Sequence, residues 1–491
     1  MRRSDQASDA RGRIWLLGAL ALYWVFVLGV LRCGVPDPAD DSWEYGLAAR
    51  QLLEGHGWRT TMIHPPLWSF HAPDGTIPLL IHGPLLPAVF AAVFRLLGER
   101  AIAWTAWGAA VSAWLAAWLT ERVCRRHFGA AAAATAAIAL TISPQMLNAV
   151  THDVAMCAGA TLLALILDLT LRERPQTAVV GVAVGFSLLV RPEFLPLAIA
   201  LPLLAPWLRE WWSYAVPVMA CVVPWAGHQY LVTGIIGFNL STALFLSYTK
   251  TWPGLAVLQD FALTPARLRG ELWNARAELV SKWLFTAPRA LRHVLQAPSA
   301  WTSWLAWAGA FRLLRDRPWR SAAGLVAAGM VIPFVFMTLM ERNPRMLIPF
   351  LPLFAFALAA GVAWIVERRW LGISGVTAMA LVPLLALAST VPACLKEWRE
   401  SRALGPWLAA ERAALAARGA VGEGKPLMFS DRPDFVSWIT RRPVIGVSRE
   451  QYLHLATGER SGDLPDPGLD RDTWFHREGL SPGGTAAELG N

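Results

Sequence analysis

The chain alternates long uncharged apolar runs with short arginine-bearing connections, and the run lengths suit a bilayer better than a water-soluble core. A hydrocarbon layer of ~30 Å needs about 20 apolar residues in helical form. By that rule spans are predicted over residues 14–31, 101–120, 129–147, 154–171, 177–190, 194–208 and 211–231. After a long polar interval come 297–314, 321–340, 346–366 and 371–395. The expected fold class is an all-α polytopic membrane protein of about eleven transmembrane helices.

Charge tests that count, because cytoplasmic connections should be rich in Lys and Arg. Arg2, Arg3, Arg11 and Arg13 precede the first run, which has no small-residue cleavage pattern after it and is expected to be retained with a cytoplasmic N-terminus. Alternate connections then carry Arg122, Arg125 and Arg126, Arg172 and Arg174, Arg209, the cluster Arg312, Arg315, Arg317 and Arg320, and Arg368 with Arg369. An odd number of spans leaves residues 394–491 outside. The apolar segment 84–97 would invert everything downstream if it crossed, so it is expected along the outer interface, with Arg95 snorkelling toward headgroups. Two outer loops result, 32–100 and 232–296. The second has Leu268, Leu272, Ala275 and Leu279 at helical spacing and is expected to form interfacial helices. The expected organisation is a membrane domain over 1–395, a small extracytoplasmic α/β segment over 396–456 with apolar runs on either side of a turn at Asp431 to Asp434, and a disordered tail over 457–491.

Composition sharpens this picture. Only 16% of the 491 residues are charged and mean hydropathy is +0.40, against about 25% charge in soluble domains. The net charge of +9 lies in short clusters between apolar runs, so it reads as topology and excludes nucleic acid as the partner. The five cysteines are scattered without metal-type spacing and read as packing residues, although Cys33 and Cys394 could bridge if both reach the outer face.

Candidate chemistry sits at the mouths of the spans. The first outer loop opens with Asp40-Asp41-Ser42-Trp43-Glu44-Tyr45. Asp41 and Glu44 have the spacing of a capping box and Gly55 that of a helix stop; a carboxylate fixed at a helix start is also well placed to take a proton. Asp153, after His152, opens an inward-running helix and fits an N-cap. Arg191, Arg342 and Arg345 fall in short outer connections, where positive charge is normally depleted, and each precedes a helix N-terminus whose partial charge opposes it. Guanidinium groups beside helix N-termini at a membrane surface suit a lipid-linked phosphate. His64 and His82 add imidazoles that, beside Asp41 and Asp153, could complete a divalent-metal site (Asp41, Asp153, His82) or bind phosphate. No HExxH, P-loop, GxSxG or GxGxxG is present in the required context.

Taken in order, these features resemble the GT-C superfamily of membrane glycosyltransferases, particularly the branch with protein O-mannosyltransferases and lipid A aminoarabinose transferases. The shared pattern runs through the acidic, Tyr-containing helix from Asp41 to Gly55, His82-Gly83-Pro84-Leu85, the basic step from Arg126 to Ala134, and Ser143-Pro144 followed by Asp153. It continues with Gly185 to Arg191-Pro192, Arg345 before Leu347-Ile348-Pro349-Phe350-Leu351-Pro352, and Met428-Phe429-Ser430-Asp431 with Arg441-Arg442-Pro443. The chain departs where many relatives have Asp-Glu and it has Asp41-Ser42, which leaves open whether Asp40 or Asp41 is the base. The resemblance implies a GT-C arrangement, a polyprenyl-phosphate sugar donor, a hydroxyl acceptor and inverting transfer at the outer face of a bacterial inner membrane. It also implies Asp41 as base and Asp153 orienting the acceptor or a metal. Arg345, with Arg342, Arg191 or His82, would receive the carrier phosphate, supported by Asp40, Glu44, Tyr45, His64 and His152. The competing readings are a transporter or flippase for lipid-linked sugars, which would bury ionisable groups at mid-membrane and show related halves, and a carboxylate-dependent membrane hydrolase.

Overall fold

The computed structural model describes residues 3–32, 40–70, 72–205, 210–234, 240–252, 256–259, 263–316, 319–340, 344–368, 377, 380–396, 398–399, 428–430, 433–441, 443–446 and 474–476. Its helices are α1 (Arg3–Arg32), α2 (Asp40–Leu53), α3 (Leu85–Leu97), α4 (Thr105–Phe128), α5 (Ala130–Thr141), α6 (Pro144–His152), α7 (Val154–Thr170), α8 (Thr177–Val190), α9 (Leu195–Leu204) and α10 (Trp211–Thr233). They continue with α11 (Pro265–Asn274), α12 (Arg276–Leu295), α13 (Ser303–Arg315), α14 (Arg320–Leu339), α15 (Leu351–Glu367), α16 (Ala380–Lys396) and α17 (Pro433–Thr440). Short strands are β1 (Arg59–Thr60), β2 (Met62–Ile63), β3 (Ile77–Pro78), β4 (Met428–Ser430), β5 (Val444–Gly446) and β6 (Trp474–His476).

Among the described residues, four helical stretches are long and apolar enough to cross a bilayer: Glu99–Phe128, Trp211–Thr233, Arg320–Leu339 and Pro344–Glu367. A fifth is the pair α5 and α6, bent by 49°. The bend falls inside the run expected as one span over 129–147. Pro144 has no N–H to continue the ladder and sits at the first position of α6, while the Ser143 side chain accepts from the N–H of Met146 at 3.2 Å. The other expected spans coincide with shorter apolar helices or, at 297–314, with the short α13.

α15 is apolar on every side and buried all round, which makes it the axis on which α4, α5, α7, α13 and α14 pack. Its contact with α13 is backbone against backbone. A Cβ at Gly309 would lie 1.8 Å from the Ala357 carbonyl oxygen, and one at Gly361 would lie 2.1 Å from that of Leu305. Without a hydrophobic drive between helices in lipid, such small-residue contacts supply the attraction by close van der Waals packing. At one end of the bundle, buried Asp168 is held by Arg122, Arg126 and Arg172, and buried Glu121 by Arg13 and Arg125. Those guanidiniums belong to the connections read as cytoplasmic.

The opposite end is covered by the two large loops. Leu268, Leu272, Ala275 and Leu279 pack with Ile63, Leu67, Ile77 and Leu80, so the second loop's apolar stripe meets the first loop. Schellman-type bonds end α2: His56 N–H to the Gln51 carbonyl at 2.9 Å and Gly55 N–H to that of Leu52, with Gly55 at φ +84°. The first loop also shares a sheet with the chain's C-terminal part. The order is β2-β5-β4-β6, all parallel, with Met62 opposite Val444 and Met428 opposite Trp474. β6 therefore lies within the stretch expected to be disordered. Trp438 of α17 packs on α2, 5.6 Å from the Trp43 ring and 4.0 Å from the Arg50 guanidinium carbon.

Gly309→Val is expected to force α13 from α15 and destabilise the fold by more than the ~1–3 kcal/mol typical of overpacking, since the neighbour is backbone. Thermal unfolding in detergent checks it; an unchanged midpoint would contradict the close contact.

Candidate active site

Four chain segments end at one point on the loop-covered side. Asp41 lies in the first turn of α2, Asp153 caps α7, Arg191 follows α8, and Arg345 opens the 3-10 turn Pro344–Phe350 that leads into α15. Arg345 Nη1 stands 3.9 Å from Asp41 Oδ2 and 3.9 Å from Asp153 Oδ2, so one guanidinium nitrogen serves both carboxylates. Arg191 Nη1 approaches the same Asp153 oxygen at 3.7 Å and gives its Nη2 to Glu193 Oε1 at 3.0 Å. Asp153 and Arg191 are buried, whereas the Asp41 and Arg345 side chains keep 22% and 27% exposure. The site thus has a buried floor and an accessible rim.

Local sequence explains each placement. Asp153 Oδ1 accepts from the Met156 N–H at 3.1 Å, the N-cap anticipated from the sequence, which leaves Oδ2 for the arginines. Its own N–H bonds the Ala149 carbonyl, so the α5–α6 bend delivers it. The capping-box expectation for Glu44 is not met: its carboxylate turns to His82 Nε2 at 3.0 Å and His64 Nε2 at 3.7 Å. The Tyr45 hydroxyl reaches His82 Nδ1 at 3.4 Å, their rings edge to face at 4.7 Å. Gly83 allows this second cluster to adjoin the first, because a Cβ there would fall 1.9 Å from the Leu189 carbonyl oxygen at the end of α8.

Of the residues singled out by sequence, Asp41, Asp153, Arg191 and Arg345 converge, and Glu44, Tyr45, His64 and His82 form the adjoining cluster. Asp40 begins α2 and His152 ends α6. Arg342 lies outside the described residues. Glu193, which braces Arg191, carried no role in the sequence reading; its only signal was its position two residues on.

Burial alone would raise the Glu44 carboxyl, but His82 and His64 draw it well below the usual carboxylate range. Burial would likewise lower the His82 imidazole, and Glu44 outweighs that and raises it. Burial and then the Asp41 charge push Asp153 up to about 6, against the pull of Arg191 and Arg345. A metal does not fit the set Asp41, Asp153 and His82. The place between the two carboxylates is taken by Arg345, His82 Nε2 is engaged by Glu44, and among the described residues no group of three or more His, Cys, Asp or Glu could hold an ion.

An unfolded Asp titrates near 3.9, so the native state holds the Asp153 proton more tightly. Its stability contribution is full below about 4 and is lost as pH rises to about 6. Asp153→Asn cannot ionise, so its melting temperature is expected to gain on the parent as pH rises through that window. A pH-independent difference would contradict the buried, like-charged environment.

Residues 81–228, under a third of the chain, match the family model described as dolichyl-phosphate-mannose-protein mannosyltransferase. That segment contains His82, Asp153 and Arg191 but neither Asp41 nor Arg345. No curated protein sequence matches the chain. Among solved structures, ArnT from Cupriavidus metallidurans in the apo state is 16% identical with a TM-score of 0.54, covering 95% of this chain and 93% of that one. The same protein bound to undecaprenyl phosphate gives 15%, 0.53, 91% and 88%. The Archaeoglobus fulgidus oligosaccharyltransferase in complex with Zn and sulfate gives 15% and 0.54, covering 89% of this chain but 62% of that one. The structural likeness shows the fold that the chain shares with ArnT and the oligosaccharyltransferase, and the family segment shows that residues 81–228 are similar to the mannosyltransferase family.

Proposed function

We propose that the chain moves a sugar from a polyprenyl-phosphate donor to a hydroxyl acceptor at the outer face of a bacterial inner membrane, with inversion at the anomeric carbon. The observation that carries this reading is Arg345 standing between Asp41 and Asp153, since it sets a proton acceptor beside a phosphate receiver at one accessible rim. Asp41, the more exposed carboxylate, takes the proton of the acceptor hydroxyl. The hydroxyl oxygen attacks the anomeric carbon, and the bond from that carbon to the phosphate oxygen breaks. The departing polyprenyl phosphate carries the electron pair, and Arg345, with Arg191 behind it, receives the charge; fixed charge placed where charge develops is often the largest contribution to such transfers. Asp153 holds the two guanidiniums in place. No step passes through a metal ion. ArnT in complex with undecaprenyl phosphate supports a carrier of that class.

The arginine-rich end, with Arg122, Arg126 and Arg172, suits the cytoplasmic side, and this supports the reading of an outward-facing Asp41. Asp41→Asn is expected to lower transfer by about 10² to 10⁴ fold, the usual worth of a general base, and to remove one modification from cell-envelope glycolipids or glycoproteins seen by mass spectrometry. Unchanged glycans with a correctly inserted variant would refute the assignment. Free sugar released from the donor by purified protein, with no glycosylated acceptor, would favour a hydrolase.

A further inference from the structure

The apolar stripe of the second loop runs Leu268, Leu272, Ala275, Leu279 and then meets Lys282 on the same buried face of α12. Lys282 is 4% exposed. Its ammonium donates to the carbonyl oxygens of Leu339 at 2.7 Å and Met340 at 3.0 Å, at the end of α14, and to that of Phe245 at 2.9 Å, with Leu244 at 3.5 Å. Two neighbours act alike. The Ser247 hydroxyl shares its proton between the carbonyls of Leu244 at 2.6 Å and Met340 at 2.8 Å, and the Thr286 hydroxyl between those of Lys282 at 2.7 Å and Thr338 at 3.0 Å.

The last carbonyls of a helix have no partner within it, and a cation there opposes the negative end of the macrodipole. Here the cap comes from another part of the chain, so the end of α14 is tied to the second loop. Arg345 follows Met340 by a few residues. We propose that Lys282 is a positioning residue, which fixes the end of α14 and thereby sets Arg345 against the carrier phosphate. The inference rests on the reading that Arg345 receives that phosphate. It makes the second loop a structural partner of the phosphate site, not only a cover over it.

Binding of undecaprenyl phosphate to the full-length protein in detergent, followed by native mass spectrometry, tests this without turnover. Undecaprenol serves as the probe lacking the phosphate. Lys282→Met is expected to weaken undecaprenyl phosphate by about 10- to 100-fold, the scale of a misplaced binding group, and to leave undecaprenol unchanged. Arg345→Gln is expected to weaken the phosphate at least as much. The double variant should bind no more weakly than Arg345→Gln alone, because Lys282 acts through Arg345. Parent-like binding by Lys282→Met beside a weak Arg345→Gln overturns the inference and spares the phosphate reading. A double variant weaker by the full Lys282→Met factor also overturns it. Parent-like binding by Arg345→Gln overturns the phosphate reading itself. Should Lys282→Met fail to fold, Lys282→Gln, which keeps a donor and removes the charge, is expected to weaken undecaprenyl phosphate by about threefold, the worth of one hydrogen bond, and to leave undecaprenol unchanged; parent-like binding overturns the inference.

Discussion

Two carboxylates drawn from different helices share one guanidinium, and the loop-covered end of the molecule is arranged around that sharing. A carboxylate taken from water is costly unless an opposite charge meets it. Asp153 is buried at the start of α7, and Arg191 and Arg345 stand on its free oxygen. Asp41 is held less deeply by the same Arg345. Removing Arg345 would take from Asp41 the cation it faces and from Asp153 one of its two, so the helix ends that carry these charges meet at one place. The same arrangement leaves a carboxylate and a guanidinium side by side at an accessible rim, which is the property transfer chemistry requires.

That rim depends on rigid surroundings. α15 supplies an apolar axis, and the glycine contacts between α13 and α15 lock the helix that follows Arg345. α2, which carries Asp41, is braced from outside. Trp438 lies against its Trp43 and Arg50, and Glu99 joins Arg50 to Arg441 at 3.0 Å each. The C-terminal sheet therefore serves as a support for the helix that carries the proposed base. Glu44, with His64 and His82, forms a buried charged group on the next turn of that helix. The two imidazoles face the carboxylate where a backbone cap had been the simpler expectation.

Much of this was legible in residue order. Asp153 stands before an apolar run and behind a polar turn, and it caps α7 as its type and place suggested. Arg191 and Arg345 drew notice because they defy the charge rule for their side of the membrane, and among the described residues they are the two arginines at the carboxylates. Lys282 did not stand out. A lysine at the end of an amphipathic stripe reads as solvated, and nothing nearby in sequence hints that the end of α14, more than fifty residues on, supplies its acceptors. Nor could adjacency show that β2 of the first loop would pair with β5 near the C-terminus.

Hydrophobic periodicity and charge alternation by themselves determined that the chain is a helical membrane protein and which helix ends could hold chemistry. Both are local properties, set by the length of an apolar run and by the cost of moving charge through lipid. Tertiary structure alone decided that Arg345 lies between Asp41 and Asp153, that Glu44 faces two imidazoles, and that the second loop caps α14. Those facts depend on distances between segments far apart in the chain, and pairing energies across such distances exist only once packing has brought the groups together.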